Sequence, residues 1–290
     1  MSLSGPGPRA APNRLPPLVD ATGLHLLRFA VIAVSLELAT LAGVSGWTLG
    51  LVANVAVTVL AVVLMTRRKL WRCSGMTTLW RSRVAALALL PLCAEAISWA
   101  LPAGITARTP GLGLWALTLL LVGVNEELFS RGLVLERLRP AYRPTVAAVT
   151  TAALFGLQHL SALVLTSREA GDVLGNVALS AVAGLALTAF QLRFRWLWPL
   201  ILVHATADWV IILASRALPD AFIGVAHLLL LLYAVVLLRG LPADLDDGAS
   251  RAPSAPARRC SSPGGPEARS WLAVALDRVQ PGHPWRARLG

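Results

Sequence analysis

The sequence predicts an all-α fold, a polytopic transmembrane helical bundle of about eight spans. Three observations carry that expectation. Of the 290 residues, 56% are hydrophobic and only 14% are charged, and the mean hydropathy is +0.66; a soluble globular domain is less apolar and more densely charged. Apolar stretches of about 18 residues or more recur along the chain, each long enough to cross a hydrocarbon core of roughly 30 Å. Basic residues fall in alternate loops, as the positive-inside rule requires of a multi-pass chain.

The spans are read at 24–44, 47–65, 84–101, 112–135, 145–165, 172–192, 196–215 and 221–238. Residues 1–23 are rich in Pro and polar groups and lack a short apolar core ending in a small-residue cleavage site. They are read as a cytoplasmic N-terminal segment, with the first span kept as an anchor. The bundle then occupies 24–240. From Leu241 the chain turns to Pro, Gly, Ser and Arg, and its one apolar run, "WLAVAL", is too short to span. Residues 241–290 are therefore expected to form a disordered cytoplasmic tail.

Arginine placement orients the bundle. Arg67, Arg68, Lys69, Arg72, Arg81 and Arg83 lie between the second and third spans, Arg137, Arg139 and Arg143 between the fourth and fifth, and Arg193 and Arg195 between the sixth and seventh. The alternate loops offer only Arg108, Arg168 and Arg216. This pattern predicts a multi-pass protein of the cell membrane with both termini cytoplasmic, which also places Arg9, Arg14 and Arg239 on that side. The net charge of +11 is thus mostly a topology signal. No basic soluble domain exists to carry nucleic-acid binding, and the expected surroundings are membrane lipids. The loop "TRRKLWRCSGMTTLWRSR" mixes arginines with Trp71 and Trp80, which suits either an anionic headgroup surface or an ordinary interfacial loop. Cys73, Cys93 and Cys260 show no paired spacing, so neither a disulfide framework nor a thiol metal site is expected. No internal repeat is visible to support the inverted halves of many transporters.

Polar residues inside such spans are costly and are commonly paired or functional. They comprise Arg28, Glu37, Glu95, Asn125, Glu126, Glu127, Arg131, Gln158, His159, Asn176, Gln191, His204, Asp208 and His227. Arg28 is placed near a span end, where its long side chain can snorkel. Glu37 and Glu95 are read as interhelical hydrogen-bonding groups. His227 has no polar companion one turn away and is read as structural. In "VNEELFSRGL", Glu127 and Arg131 are four apart on one helix face and can pair, whereas Glu126 is rotated by about 100°. Glu126 is therefore read as a free carboxylate, whose proton affinity rises in low dielectric. That suits a general base, although all three groups binding neighbouring helices is the plainer alternative.

Two further spans add to this. "LFGLQHL" sets Phe155 and His159 on one face, and "LVHATADW" does the same for His204 and Asp208. Only inward-facing positions tolerate such groups, so convergence on a common site is the economical reading. At about 1.5 Å per residue, Glu126 and His204 come out at similar depths of about 14 and 12 Å from their cytoplasmic span ends, and His159 deeper, near 20 Å.

The ordered set Glu126-Glu127-x-x-x-Arg131, Phe155-x-x-x-His159 and His204-x-x-x-Asp208 resembles the CAAX prenyl protease and bacteriocin-processing family, also called CPBP or Abi, related to type II CAAX prenyl endopeptidases. The resemblance covers about residues 80–240. It implies an intramembrane endopeptidase acting on a peptide or protein substrate, with Glu126 and His159 activating a water and His204 and Asp208 stabilising the oxyanion. Many members carry Asn where this chain has Asp208. An ionised Asp cannot donate a hydrogen bond, so it would orient His204 or be protonated. No Ser/His/Asp or Cys/His set competes, and the zinc signature His-Glu-x-x-His is absent. Glu126, His159 and His204 are permissible ligands for a divalent metal such as zinc, which leaves metalloprotease and metal-independent mechanisms both open. Two non-proteolytic readings stand beside the enzyme: a non-catalytic immunity or scaffold protein, and a proton-coupled transporter.

Overall fold

A computed structural model describes residues 15–165 and 168–241. The expected disordered tail, Arg9, Arg14 and Cys260 lie outside the described residues. Eight long helices follow one another: α1 (Leu15–Leu41), α2 (Trp47–Arg67), α3 (Arg83–Ser98), α4 (Leu112–Leu138), α5 (Pro144–Leu157), α6 (Ala170–Phe194), α7 (Trp198–Ile212) and α8 (Asp220–Leu238). No strand occurs among the described residues, where only Ile105 and Ala214 form an isolated bridge. Seven of the helices, α3 and α5 counted with their short continuations, are long and apolar enough to cross a membrane. The eighth, α7, is apolar but shorter. The described residues form a helical bundle, and the protein is a multi-pass membrane protein.

Local chemistry sets the helix limits. Ser82 caps α3 by accepting from the Ala85 N–H at 3.1 Å, satisfying one of the donors that a helix start leaves open. Pro144 opens α5 at a position where its missing N–H costs nothing. The first helix starts at Leu15, nine residues earlier than the sequence reading placed its span, and that shift moves Arg28 into the body of the helix.

Within α4 the backbone leaves α-helical geometry. Leu128–Val134 form a π-helix between an α-helical start and a short α-helical end, a device frequent at functional sites. The sequence predicts an uninterrupted helix here. All seven π-helical residues are buried, and Gly132 lies against Met65 of α2, where a Cβ would stand 2.8 Å from the sulfur. This centre of α4, with Leu128, Phe129, Leu133, Val134 and Leu135, joins residues from α1, α2, α3, α6, α7 and α8 in the main core. The most heavily contacted helix pairs are α5 with α6, α4 with α7, and α6 with α8.

The loop between α2 and α3 is folded onto the bundle. The indole N–H groups of Trp196 and Trp198 each donate to the Thr78 carbonyl at 2.8 Å, and the Gln191 amide donates to the Ser74 carbonyl at 2.7 Å. Arg195 is buried and bridges Glu136 to the Cys73 carbonyl. Gly75 has φ of 73°, and any Cβ there would run into the Arg195 carbonyl oxygen, so the close approach requires glycine. Among the described residues Cys93 is a free thiol.

Candidate active site

The three motifs meet in one place, beside the π-helix of α4. Glu127 and Arg131 pair as their spacing predicts, at 2.7 Å, and both are fully buried. The Arg131 guanidinium uses its whole fork: it also donates to the Gly184 carbonyl at 2.9 Å and to Thr188 Oγ1 at 3.3 Å on α6. One face of it lies 4.3 Å from the centroid of the Phe155 ring, a cation–π arrangement. Gly184 makes room for this packing, since a Cβ there would stand 2.7 Å from Phe155 Cδ1 and 3.2 Å from Arg131 Nη2.

Phe155 ties the two histidines to this unit. Its ring is edge-on to His159 at 5.6 Å and to His204 at 5.8 Å, centroid to centroid. The α5 helix passes into a 3₁₀ turn at Gln158–Ser161, which carries His159 at the end of the helix. His159 Nδ1 faces the carbonyls of Phe155 and Gly156 at 3.2 and 3.3 Å. A carbonyl only accepts, so that nitrogen carries the proton and leaves Nε2 as the free lone pair.

His204 is held between carboxylates on two helices. Its Nδ1 lies 2.8 Å from Glu127 Oε1, the same oxygen that receives Arg131. A carboxylate accepts, so Nδ1 donates. The opposite nitrogen, Nε2, faces Glu126 Oε2 at 3.7 Å and Asp208 Oδ2 at 3.5 Å. Glu127, read from the sequence as merely neutralised by Arg131, is thus also the group that sets the tautomer and ring orientation of His204.

The reading of Glu126 as a carboxylate without a cation is corrected. Arg28 Nη2 donates to Glu126 Oε1 at 2.7 Å and to Asn125 Oδ1 at 3.0 Å, and Arg28 Nη1 donates to Gln158 Oε1 at 3.2 Å. Arg28 does not snorkel. Its guanidinium is turned into the bundle and spent on Glu126, Asn125 and Gln158. Glu126 is therefore asymmetric: Oε1 belongs to Arg28 while Oε2 faces His204. Glu126 and His159 make no direct hydrogen bond, although each lies within electrostatic reach of the other.

Three residues outside the motifs complete the surroundings. Asn125 donates to Asn54 of α2 at 3.0 Å and to the Leu121 carbonyl at 2.7 Å, which ties α2 to the same cluster; Asn54 was not among the polar positions singled out from the sequence. Glu95 of α3 accepts from the Trp99 indole at 2.6 Å, a partner on its own chain segment one turn away rather than on another helix, and it feels the charges of His204 and Asp208. Glu37 is exposed on α1 and makes no hydrogen bond to another helix among the described residues. His227 turns its Nδ1 to the Ile223 carbonyl at 2.8 Å, in the structural role expected of it. Among the described residues no group of three or more His, Cys, Asp or Glu side chains is set to hold a metal ion. Glu126 lies within electrostatic reach of both His159 and His204, and Arg28 holds one of its oxygens.

Part of the chain is similar to a known family. Residues 108–210, from the loop before α4 to the last turn of α7, match the family model described as "Type II CAAX prenyl endopeptidase Rce1-like". All three motifs fall inside that stretch, while α1 with Arg28 lies outside it. No curated protein matches the chain, and no solved structure does.

Proposed function

We propose that this chain, whose residues 108–210 match the Rce1-like type II CAAX prenyl endopeptidases, is an intramembrane endopeptidase that hydrolyses a peptide bond with water activated at Glu126. The observation that carries the reading is the division of Glu126 between Arg28 and His204. Oε1 is anchored at 2.7 Å, so Oε2 is left as the oxygen that takes a proton. Glu126 removes the proton from water, the resulting hydroxide attacks the carbonyl carbon, and the same proton passes to the amine as the C–N bond breaks. His159, with its proton held toward the backbone, offers the Nε2 lone pair to the same water. His204, oriented by Glu127 and Asp208, supplies the hydrogen bond or positive charge that the tetrahedral intermediate needs. Asp208 acts by orienting His204, since an ionised carboxylate accepts and does not donate.

The alternation of arginines supports both termini and the loop after α2 on the cytoplasmic side. Cleavage then takes place within the bilayer, in a site opening to that side. Peptide cleavage by purified full-length protein, compared with its Glu126→Gln variant, tests the reading. Retained cleavage in well-folded Glu126→Gln removes Glu126 as the base.

A second reading, a non-catalytic membrane protein, has one observation in its favour. An ion-paired carboxylate is a weaker base than a free one, and Arg28–Glu126 serves equally as a strut between α1 and α4. That reading expects Glu126→Gln to change assembly rather than turnover.

A further inference from the structure

Glu126 and His159 act on one water in the proposed reaction, yet no hydrogen bond joins them. Another group has to set their separation. Arg28 is buried, and its guanidinium bonds in two directions. On one side Nη2 donates to Glu126 Oε1 at 2.7 Å, and Nη2 and Nε donate to Asn125 Oδ1 at 3.0 and 3.4 Å. On the other, Nη1 donates to Gln158 Oε1 at 3.2 Å. Gln158 is the residue before His159 and opens the 3₁₀ turn that carries it. One guanidinium thus spans from the carboxylate of α4 to the turn at the end of α5.

Both ends of that bridge are anchored. Asn125 is tied to Asn54 of α2 and to the Leu121 carbonyl, which fixes the α4 end. Gln158 also interacts with His25, three residues before Arg28 and on the same face of α1, and α1 packs directly against the 3₁₀ turn. The fork between the two ends is planar and rigid, so it holds them at a set distance. Phe155 packs against the His159 ring and makes no bond to Glu126. A cation beside a carboxylate makes it a weaker base, so this contact does not serve basicity. A strut between α1 and α4 needs only Glu126 and Asn125. The Nη1 bond to the α5 turn is superfluous to a strut and is what a spacer requires.

We propose that Arg28 and Gln158 are positioning residues of the reaction, setting through one guanidinium the distance between Glu126 and the turn that presents His159. The inference rests on the proteolytic reading. It assigns a role to α1, which lies outside the matched stretch of residues 108–210. Neither side chain needs to take a proton or touch the peptide. Their contribution is geometric, and a misplacement of about 1 Å can cost roughly 10²-fold in rate.

The test is carried by Gln158, since it can be changed while Arg28 keeps Glu126 and Asn125. Gln158→Met keeps the length of the side chain and removes the acceptor; Gln158→Glu keeps an acceptor oxygen. In full-length protein purified in detergent, Gln158→Met should unfold near the native temperature and cleave a peptide with kcat lower by about ten- to a hundredfold, KM staying within about twofold. Gln158→Glu should recover most of that loss. Added to His159→Ala, Gln158→Met should cost little more, because it acts through His159. Native kcat in Gln158→Met overturns the spacing role, as does a loss of the same factor with and without His159. A second readout needs no turnover: NMR of the histidine rings, with the His159 signal identified by its disappearance in His159→Ala. Gln158→Met should move that signal and leave His227, which is bonded to Ile223 on α8, where it was. A chain that cleaves nothing yet shows the shift counts against the protease and supports the bridge; a chain that cleaves while its His159 signal ignores Gln158→Met counts against the bridge alone.

Discussion

Arg28 Nη2 lies 2.7 Å from Glu126 Oε1, across 98 residues of chain. The pair joins a helix outside the family-matched stretch to the first carboxylate of the motif inside it. Removing one member of a buried pair typically costs about 3–5 kcal/mol, because the other is left charged and unpaired. Arg28→Ala should therefore lower the amount of folded protein, and adding Glu126→Gln should recover much of it without recovering cleavage. Thermal unfolding in detergent beside a cleavage assay reads both. Equal stability of Arg28→Ala and the native chain would show that the pair is not what holds α1 to α4.

The Arg131 fork predicts that lysine is no substitute. A guanidinium reaches Glu127, Gly184 and Thr188 at once and presents a flat face to Phe155, whereas an ammonium is a point charge. Arg131→Lys should be nearly as destabilising as Arg131→Ala. Glu127→Gln should partly rescue Arg131→Ala, though not its activity, since Glu127 also orients His204. Rescue of turnover by Glu127→Gln would remove Glu127 from that orienting role.

Gly184→Ala tests whether Phe155 matters to the histidines. The new methyl would stand 2.7 Å from the Phe155 ring, and overpacking of this kind costs about 1–3 kcal/mol. Because Phe155 touches both His159 and His204, activity should fall further than stability. Cleavage rates measured on the folded fraction check this; an unchanged rate per folded molecule leaves Phe155 as packing alone.

The proposed chemistry predicts non-additive losses. Glu126→Gln and His159→Ala should each remove most turnover, about 10²–10⁴-fold, and the double variant should lose little more, because both act on one water. His204→Ala should cost roughly 10²–10³-fold through the intermediate instead. Fully multiplicative losses for Glu126 and His159 would assign them to different steps.

Topology is checked by reporters. A reporter fused after Arg239 should read cytoplasmic, and one inserted between α3 and α4 near Arg108 extracytoplasmic. The opposite pair of readings reverses the orientation.

Hydropathy and the alternation of arginines are properties of the chain alone, and they settled the bundle: a hydrocarbon solvent admits only satisfied backbone, so about eight apolar runs become eight helices. The i, i+4 spacing likewise determined the Glu127–Arg131 pair and the sharing of a face by Phe155 and His159, because helix geometry is local. What the sequence left undecided was every contact between helices. The census held Arg28, Glu126 and Gln158 together, yet nothing local says that an arginine on the first helix reaches a carboxylate 98 residues away. The one available signal was arithmetic: two buried carboxylates in α4 with a single arginine beside them leave a charge that must find a cation elsewhere. The π-helical turn at Leu128–Val134 and the 3₁₀ turn under His159 were invisible for the same reason. Packing against the neighbouring helices decides such turns, and packing exists only once the bundle is assembled.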